Sequence, residues 1–165
     1  MRPMRRKDRL LSEKDALEIL RAAEYGVLAT VGPDGEPYGV PLTYALDDDG
    51  KSLLFHCAPE GRKLDNVRSH PAAQFSAVAE TRVLPGEFSI EYRCAMATGR
   101  VAEVTDREEK KRCALRIAAK YSDCDAGRYT ERLIDRTCIL RLHIEHLSGK
   151  RLTGERRSDR KRVTE

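Results

Sequence analysis

The chain has 165 residues, 40% hydrophobic and 35% charged, a balance that suits one globular domain with a core and excludes disorder throughout. Its net charge of +4 is unevenly placed: Arg2, Arg5, Arg6, Lys7 and Arg9 crowd the start, and Arg151, Arg156, Arg157, Arg160, Lys161 and Arg162 crowd the end. No apolar run reaches the roughly 18 residues of a membrane span, and no apolar stretch follows the basic start as in a signal peptide.

Ser12, followed by Asp15 and an apolar-periodic run, predicts a capped helix closing at Tyr25-Gly26. GVLATV (Gly26 to Val31) predicts a short buried strand, and GPDG a turn in which Gly35 takes positive φ. A second strand runs from Pro37 to about Leu46. Pro37 and Pro41 cannot donate to a ladder, which places it at an edge or a bulge. Asp47-Asp48-Asp49-Gly50 lacks the spaced ligands of a calcium loop and reads as a solvated hairpin tip. Ser52 to Cys57 is a third strand, and Gly61 to His70 a short helix halted by Pro71. Ala73 to Glu80 and Phe88 to Val104 are further strands, the latter bent near Gly99. Thr105 is the expected cap of an amphipathic helix over residues 106–121, and a shorter helix spans about Tyr129 to Asp135. CILRLHIEH (Cys138 to His146) alternates and supplies the last strand. The expected fold is mainly β with α additions, a six-stranded antiparallel barrel over residues 1–150, followed by a basic tail at 151–165.

FHCAPEGRKLDNVRSHP (Phe55 to Pro71) concentrates the chemistry: a strand end, a glycine turn, then a helix that starts with Arg62 and Lys63. Guanidinium and ammonium groups beside outward backbone N–H groups can grip a phosphate, though such a pair can equally be an ordinary surface pair. His56 is either a satisfied core histidine or a proton donor to a substrate. Cys57 neighbours it on a strand and therefore faces the opposite way, which disfavours a Cys-His nucleophile. His143 and His146, three apart on a strand, are expected on opposite faces and not on one metal. Cys57, Cys94, Cys113, Cys124 and Cys138 show no CxxC spacing and read as reduced thiols of a cytoplasmic protein. The basic ends lack interleaved aromatics, so nucleic-acid binding is not expected.

YGVPLTY, FHCAPEGRKLDN and HIEHLSGK, in this order and with MRRKDR (Met4 to Arg9) ahead of them, resemble the pyridoxamine 5′-phosphate oxidase-like FMN-binding split barrels. Within them the chain is most similar to the nitroimidazole-resistance (Nim) branch. The resemblance covers the chain to about Lys150 and implies a homodimer holding FMN in clefts between subunits. It implies that Val40, Pro41 and Leu42 run beside the flavin ring and ribityl chain, that His56 and Cys57 touch the flavin, and that Arg62 and Lys63 hold its phosphate. His56 matches the histidine of the reactive site in Nim-type proteins, and the partner's fifth strand would bring Tyr92 and Cys94 to the site. Cys94 stands where the oxidases carry a polar flavin contact, and their pyridoxal phosphate-binding segments have no match here.

The function these readings imply is FMN-dependent reduction of a small oxidised substrate such as a nitroimidazole or another nitroaromatic. The alternative is a flavin, deazaflavin or haem binding or sensing protein of the same fold with little turnover.

Overall fold

The computed structural model describes residues 3–121 and 131–153. Cys124, Tyr129 and the tail beyond Thr153 lie outside the described residues. Ser12 and Asp15 form a reciprocal capping box on α1 (Glu13–Ala22): the Ser12 hydroxyl accepts from the Asp15 N–H at 3.1 Å, and the Asp15 carboxylate accepts from the Ser12 N–H at 3.2 Å. Ala16, Ile19 and Leu20 turn one face of this helix into the core.

The strands are β1 (Leu10–Leu11), β2 (Tyr25–Val31), β3 (Pro37–Thr43), β4 (Ala45–Leu46), β5 (Ser52–Cys57), β6 (Ala72–Leu84), β7 (Ser89–Glu103) and β8 (Cys138–Leu152). They form one antiparallel sheet in the order β3-β2-β6-β7-β8-β5-β4, with β1 added on β8. The six expected strands are all present; β4 is the end of the second, split off at Tyr44. β3 and β4 stand at opposite ends of the sheet, yet only Tyr44 separates them along the chain. The sheet must therefore curl until its two ends meet without pairing, which makes a split barrel. Tyr44, Phe55 and Phe75 fill its interior, with ring centroids 4.5 Å apart for Tyr44–Phe75 and 5.1 Å for Phe55–Phe75. Each such contact contributes about 0.5–1.5 kcal/mol beyond the buried area.

The proline argument for β3 holds. Gly32 N–H bonds to Glu36 C=O, and the β2–β3 register continues from that pair, so Tyr38, Val40 and Leu42 bond to β2. Pro37 and Pro41 fall at the alternate positions, whose backbone points to the free edge.

Three expectations need correction. Asp47 is not at a solvated tip: it is buried and accepts from Arg112 Nη1 at 2.8 Å and Nη2 at 2.9 Å, while Asp48 pairs with Arg116 at 2.9 Å. These contacts join the β4–β5 hairpin to α3 (Arg107–Tyr121), a tertiary link that a run of three aspartates does not reveal. The cap of α3 is Asp106, whose Oδ1 accepts the Glu109 N–H at 2.8 Å, and not Thr105. His143 and His146 share the outer face. Thr98 pairs with His146 and Gly99 with Ile144, so Glu145 is an extra residue in β8, and Leu142, Ile144 and Leu147 all pack on the barrel core. Gly99 is what permits the bulge, because a Cβ there would lie 1.8 Å from the His143 carbonyl oxygen. The same phase shift hid the true end of β8, which runs past His146 and Lys150 to Leu152.

The remaining helices are α2 (Arg62–Ser69) and α4 (Glu131–Arg136). No helix among the described residues is long and apolar enough to cross a membrane.

Candidate functional site

Gly61 precedes α2 at φ +122°, a conformation that glycine alone takes without strain, and it swings the chain from the β5 end into the helix. The helix is pinned to the barrel by buried Leu64 and Val67, by buried Asn66 donating to Thr30 Oγ1 at 3.0 Å, and by Arg68 donating to Glu103 at 2.6 and 3.1 Å. The N–H groups of Arg62 and Lys63 begin the helix and have no carbonyl one turn earlier to bond. The Arg62 guanidinium lies 5.0 Å from the Tyr38 ring centroid and donates to Glu36 at 2.9 Å. Lys63 is half-buried, and no carboxylate of the described residues lies within 4.0 Å of its ammonium. Two side-chain cations and two free N–H groups at one turn are a donor set that fits a phosphate. Glu36 competes for one of them.

β3 lies beside this turn through Tyr38. Val40 and Leu42 pack inward on the core, whereas Pro41 faces out. Only backbone, in the form of the Gly39 N–H and the Pro41 C=O, remains on the free edge next to them. On β5 the alternation is as the sequence predicts: His56 is exposed and Cys57 packs against the core. Cys57 stands directly opposite Cys138, which donates to Glu103 at 3.5 Å. Burial pushes both thiols up, that of Cys138 to about 12, so neither is a ready nucleophile.

Tyr92 and Cys94 are not brought to His56 within one chain. His56 pairs with Ile139 of β8, which bonds Val104 at the end of β7, and Cys94 lies near the other end of that strand, on the order of 30 Å away. There Tyr92 receives a contact from Arg9 at 3.4 Å and stands 5.7 Å from the Lys150 ammonium, and burial raises the Cys94 thiol. Among the described residues no group of three His, Cys, Asp or Glu side chains could hold a metal.

Sequence reasoning missed a cavity of about 540 Å³ between α3 and the outer face of β5 and β8. Ala114, Ile117, Ala118, Ile134 and Ile139 form its apolar wall, and His56, Thr43, Lys110 and Thr137 contribute polar groups. The Ala114, Ile117, Ala118 and Tyr121 stripe, at helical spacing, is the signal that α3 covers something. What it covers is set by the strand order.

An open antiparallel split barrel with a phosphate-fitting turn at one strand end defines a class of cofactor-site folds. Residues 12–151 match the family model for pyridoxamine 5′-phosphate oxidase, and the chain belongs to that family. It is 36% identical over 61 residues to the 5a,11a-dehydrotetracycline/5a,11a-dehydrooxytetracycline reductase of Streptomyces rimosus, a match over 36% of this chain and 43% of that relative. The chain thus spans less than half the length of that reductase. A candidate 5-nitroimidazole antibiotic resistance protein from Bacteroides thetaiotaomicron superposes with a TM-score of 0.73 at 22% identity, over 86% of this chain and 85% of the other. A FAD-binding protein from Mesorhizobium loti gives 0.65 at 26% identity, over 88% and 98%.

Proposed function

We propose that this protein is an FMN-dependent oxidoreductase, active as a homodimer, that reduces a small oxidised substrate such as a nitroaromatic. The observation that carries the reading is the pairing of two sites on adjoining elements: the cationic turn at Arg62 and Lys63, and His56 at the mouth of a cavity. The FAD-binding and reductase proteins it is similar to support a flavin and a reduction.

In this reading Arg62, Lys63 and their two N–H groups hold the FMN phosphate. The Gly39 N–H and Pro41 C=O on the free edge of β3 are available to polar atoms of the ring, and Cys57 lies at the same strand end. When bound, FMN supplies the hydride chemistry that no side chain provides. Reduction of a nitro to a nitroso group takes up two electrons and two protons and releases water, so a proton donor is needed; a ring N–H of His56 is exposed towards the cavity and fills that role.

The homodimer is supported by the outer face of the sheet. Pro41 is in register with Val27, and Pro37 with Val31; Tyr25, Val27, Val31 and Val78 are exposed large hydrophobics on this face. A second copy covering it would put Pro41 at the subunit boundary and bring its own Tyr92 and Cys94 towards the first copy's site.

The test is an absorption spectrum of the purified protein, mass analysis of whatever denaturation releases, and sedimentation. A two-band flavin spectrum with released FMN from a dimer supports the reading. A colourless protein that takes up no FMN overturns it, and a deazaflavin or haem spectrum favours the binding or sensing alternative.

A further inference from the structure

Four of the six basic side chains of α3 are engaged. Arg107 pairs with Asp135 at 3.6 Å, Arg112 with Asp47 and Glu109, Arg116 with Asp48, and Lys120 donates to the Ala23 carbonyl at 2.7 Å. Lys110 and Lys111 have no carboxylate within 4.0 Å among the described residues, and of these two only Lys110 lines the cavity that His56 also lines. Lys110 is half-buried, and the lining it shares with Ala114, Ile117, Ala118 and Ile139 includes no carboxylate among the described residues.

The cavity is elongated. Lys110 lies near one end of α3 and Tyr121 is its last residue, a separation of about 16 Å along the helix axis. The hydroxyl of Tyr121 is already committed to the Tyr44 and Glu24 backbones, so at that end the residue offers a ring and no free polar group. The volume of about 540 Å³ falls within the roughly 300–1,000 Å³ of small-molecule sites. Among the described residues its polar groups are few: one cation, one imidazole and two threonine hydroxyls.

The geometry points to this cavity as the chamber for a flat, multi-ring, largely apolar substrate that carries one anionic oxygen, with Lys110 as the residue that selects the anion. The apolar wall from Ala114 to Ile139 covers the rings, the carboxylate or enolate ion-pairs with Lys110, and the remainder of the molecule extends to His56. The inference rests on the proposed oxidoreductase for its meaning as a substrate site, but the binding it asserts belongs to the cavity.

The experiment is calorimetric titration of the full-length protein, loaded with FMN, with two compounds that share a ring system: 6-nitro-2-naphthoate and 2-nitronaphthalene. The naphthoate is expected to bind at least tenfold more tightly. Lys110→Met should close that gap, Lys110→Arg should keep it, and Lys111→Met should leave it unchanged, which separates the site from general surface charge. Ala118→Trp, filling the cavity, should abolish binding of both compounds while the FMN affinity stays as in the parent. Equal affinities in the parent protein, or a gap that survives Lys110→Met, overturns the inference. If the protein takes up no FMN, the same titration is run without it; a Lys110-dependent gap then upholds the anion-selecting cavity while the flavin reading fails.

Discussion

The Tyr121 hydroxyl lies 2.9 Å from both the backbone nitrogen and the backbone oxygen of Tyr44. It accepts from that N–H, and its proton faces the carbonyls of Tyr44 and of Glu24, the latter at 2.5 Å. Tyr44 is the single residue between the two ends of the sheet, so its backbone is in neither flanking strand where the barrel splits. One phenol from the last turn of α3 satisfies the corner. Tyr121→Phe keeps the ring and removes the bonds, and should cost about 1–3 kcal/mol in a urea denaturation. No change in midpoint would mean that water serves the corner equally well.

Arg62 and Lys63 contribute side-chain charge to the phosphate-fitting turn, and Glu36 draws on the first of them at 2.9 Å. Arg62→Ala with Lys63→Ala should weaken FMN more than tenfold in a fluorescence titration. Glu36→Gln should tighten it several-fold, because a carboxylate at that distance both occupies the guanidinium and repels phosphate. Unchanged affinity in the double variant removes the phosphate from this turn.

His56 faces the cavity and not the barrel core, so His56→Ala is expected to keep the fold and the flavin. Turnover of a nitroaromatic should fall at least tenfold, with flavin affinity little altered. Normal turnover by a flavin-loaded variant would take the imidazole out of the mechanism.

Acid should loosen the join between α3 and the barrel. Hydrogen bonds from Arg112 and Arg141 hold Glu109 down to about 2, and Arg112 likewise lowers Asp47. A carboxylate whose folded pKa is depressed stabilises the fold above its unfolded value of roughly 4, and that stabilisation is lost as pH falls towards 2. Thermal midpoints measured from pH 5 to pH 2 should fall, and less steeply in Glu109→Gln. Parallel slopes in parent and variant would show that other groups govern the acid transition.

Much was legible from the chain alone because the governing physics is local. Ser12 with Asp15 wrote its capping box within four residues, and the prolines at 37 and 41 announced an edge because a missing N–H is a property of the residue itself. The Gly61, Arg62, Lys63 turn was readable for the same reason, as was the opposite facing of His56 and Cys57 on a regular strand. Where the period broke, reading failed: the extra residue at Glu145 reversed the faces of β8, turned His143 and His146 to one side and concealed the strand's last turn of alternation.

The rest depends on contacts between residues far apart in sequence. Asp47 looks like a loop residue until Arg112, 65 positions on, arrives to bury it. The cavity needs His56, Ile139 and the Lys110 to Tyr121 face in one place, and Tyr44 needs Tyr121. Side-chain period states that a face must be covered; only the closed strand order and the packing of α3 upon it decide by what, because burial and ion pairing are energies of the assembled fold and not of any segment.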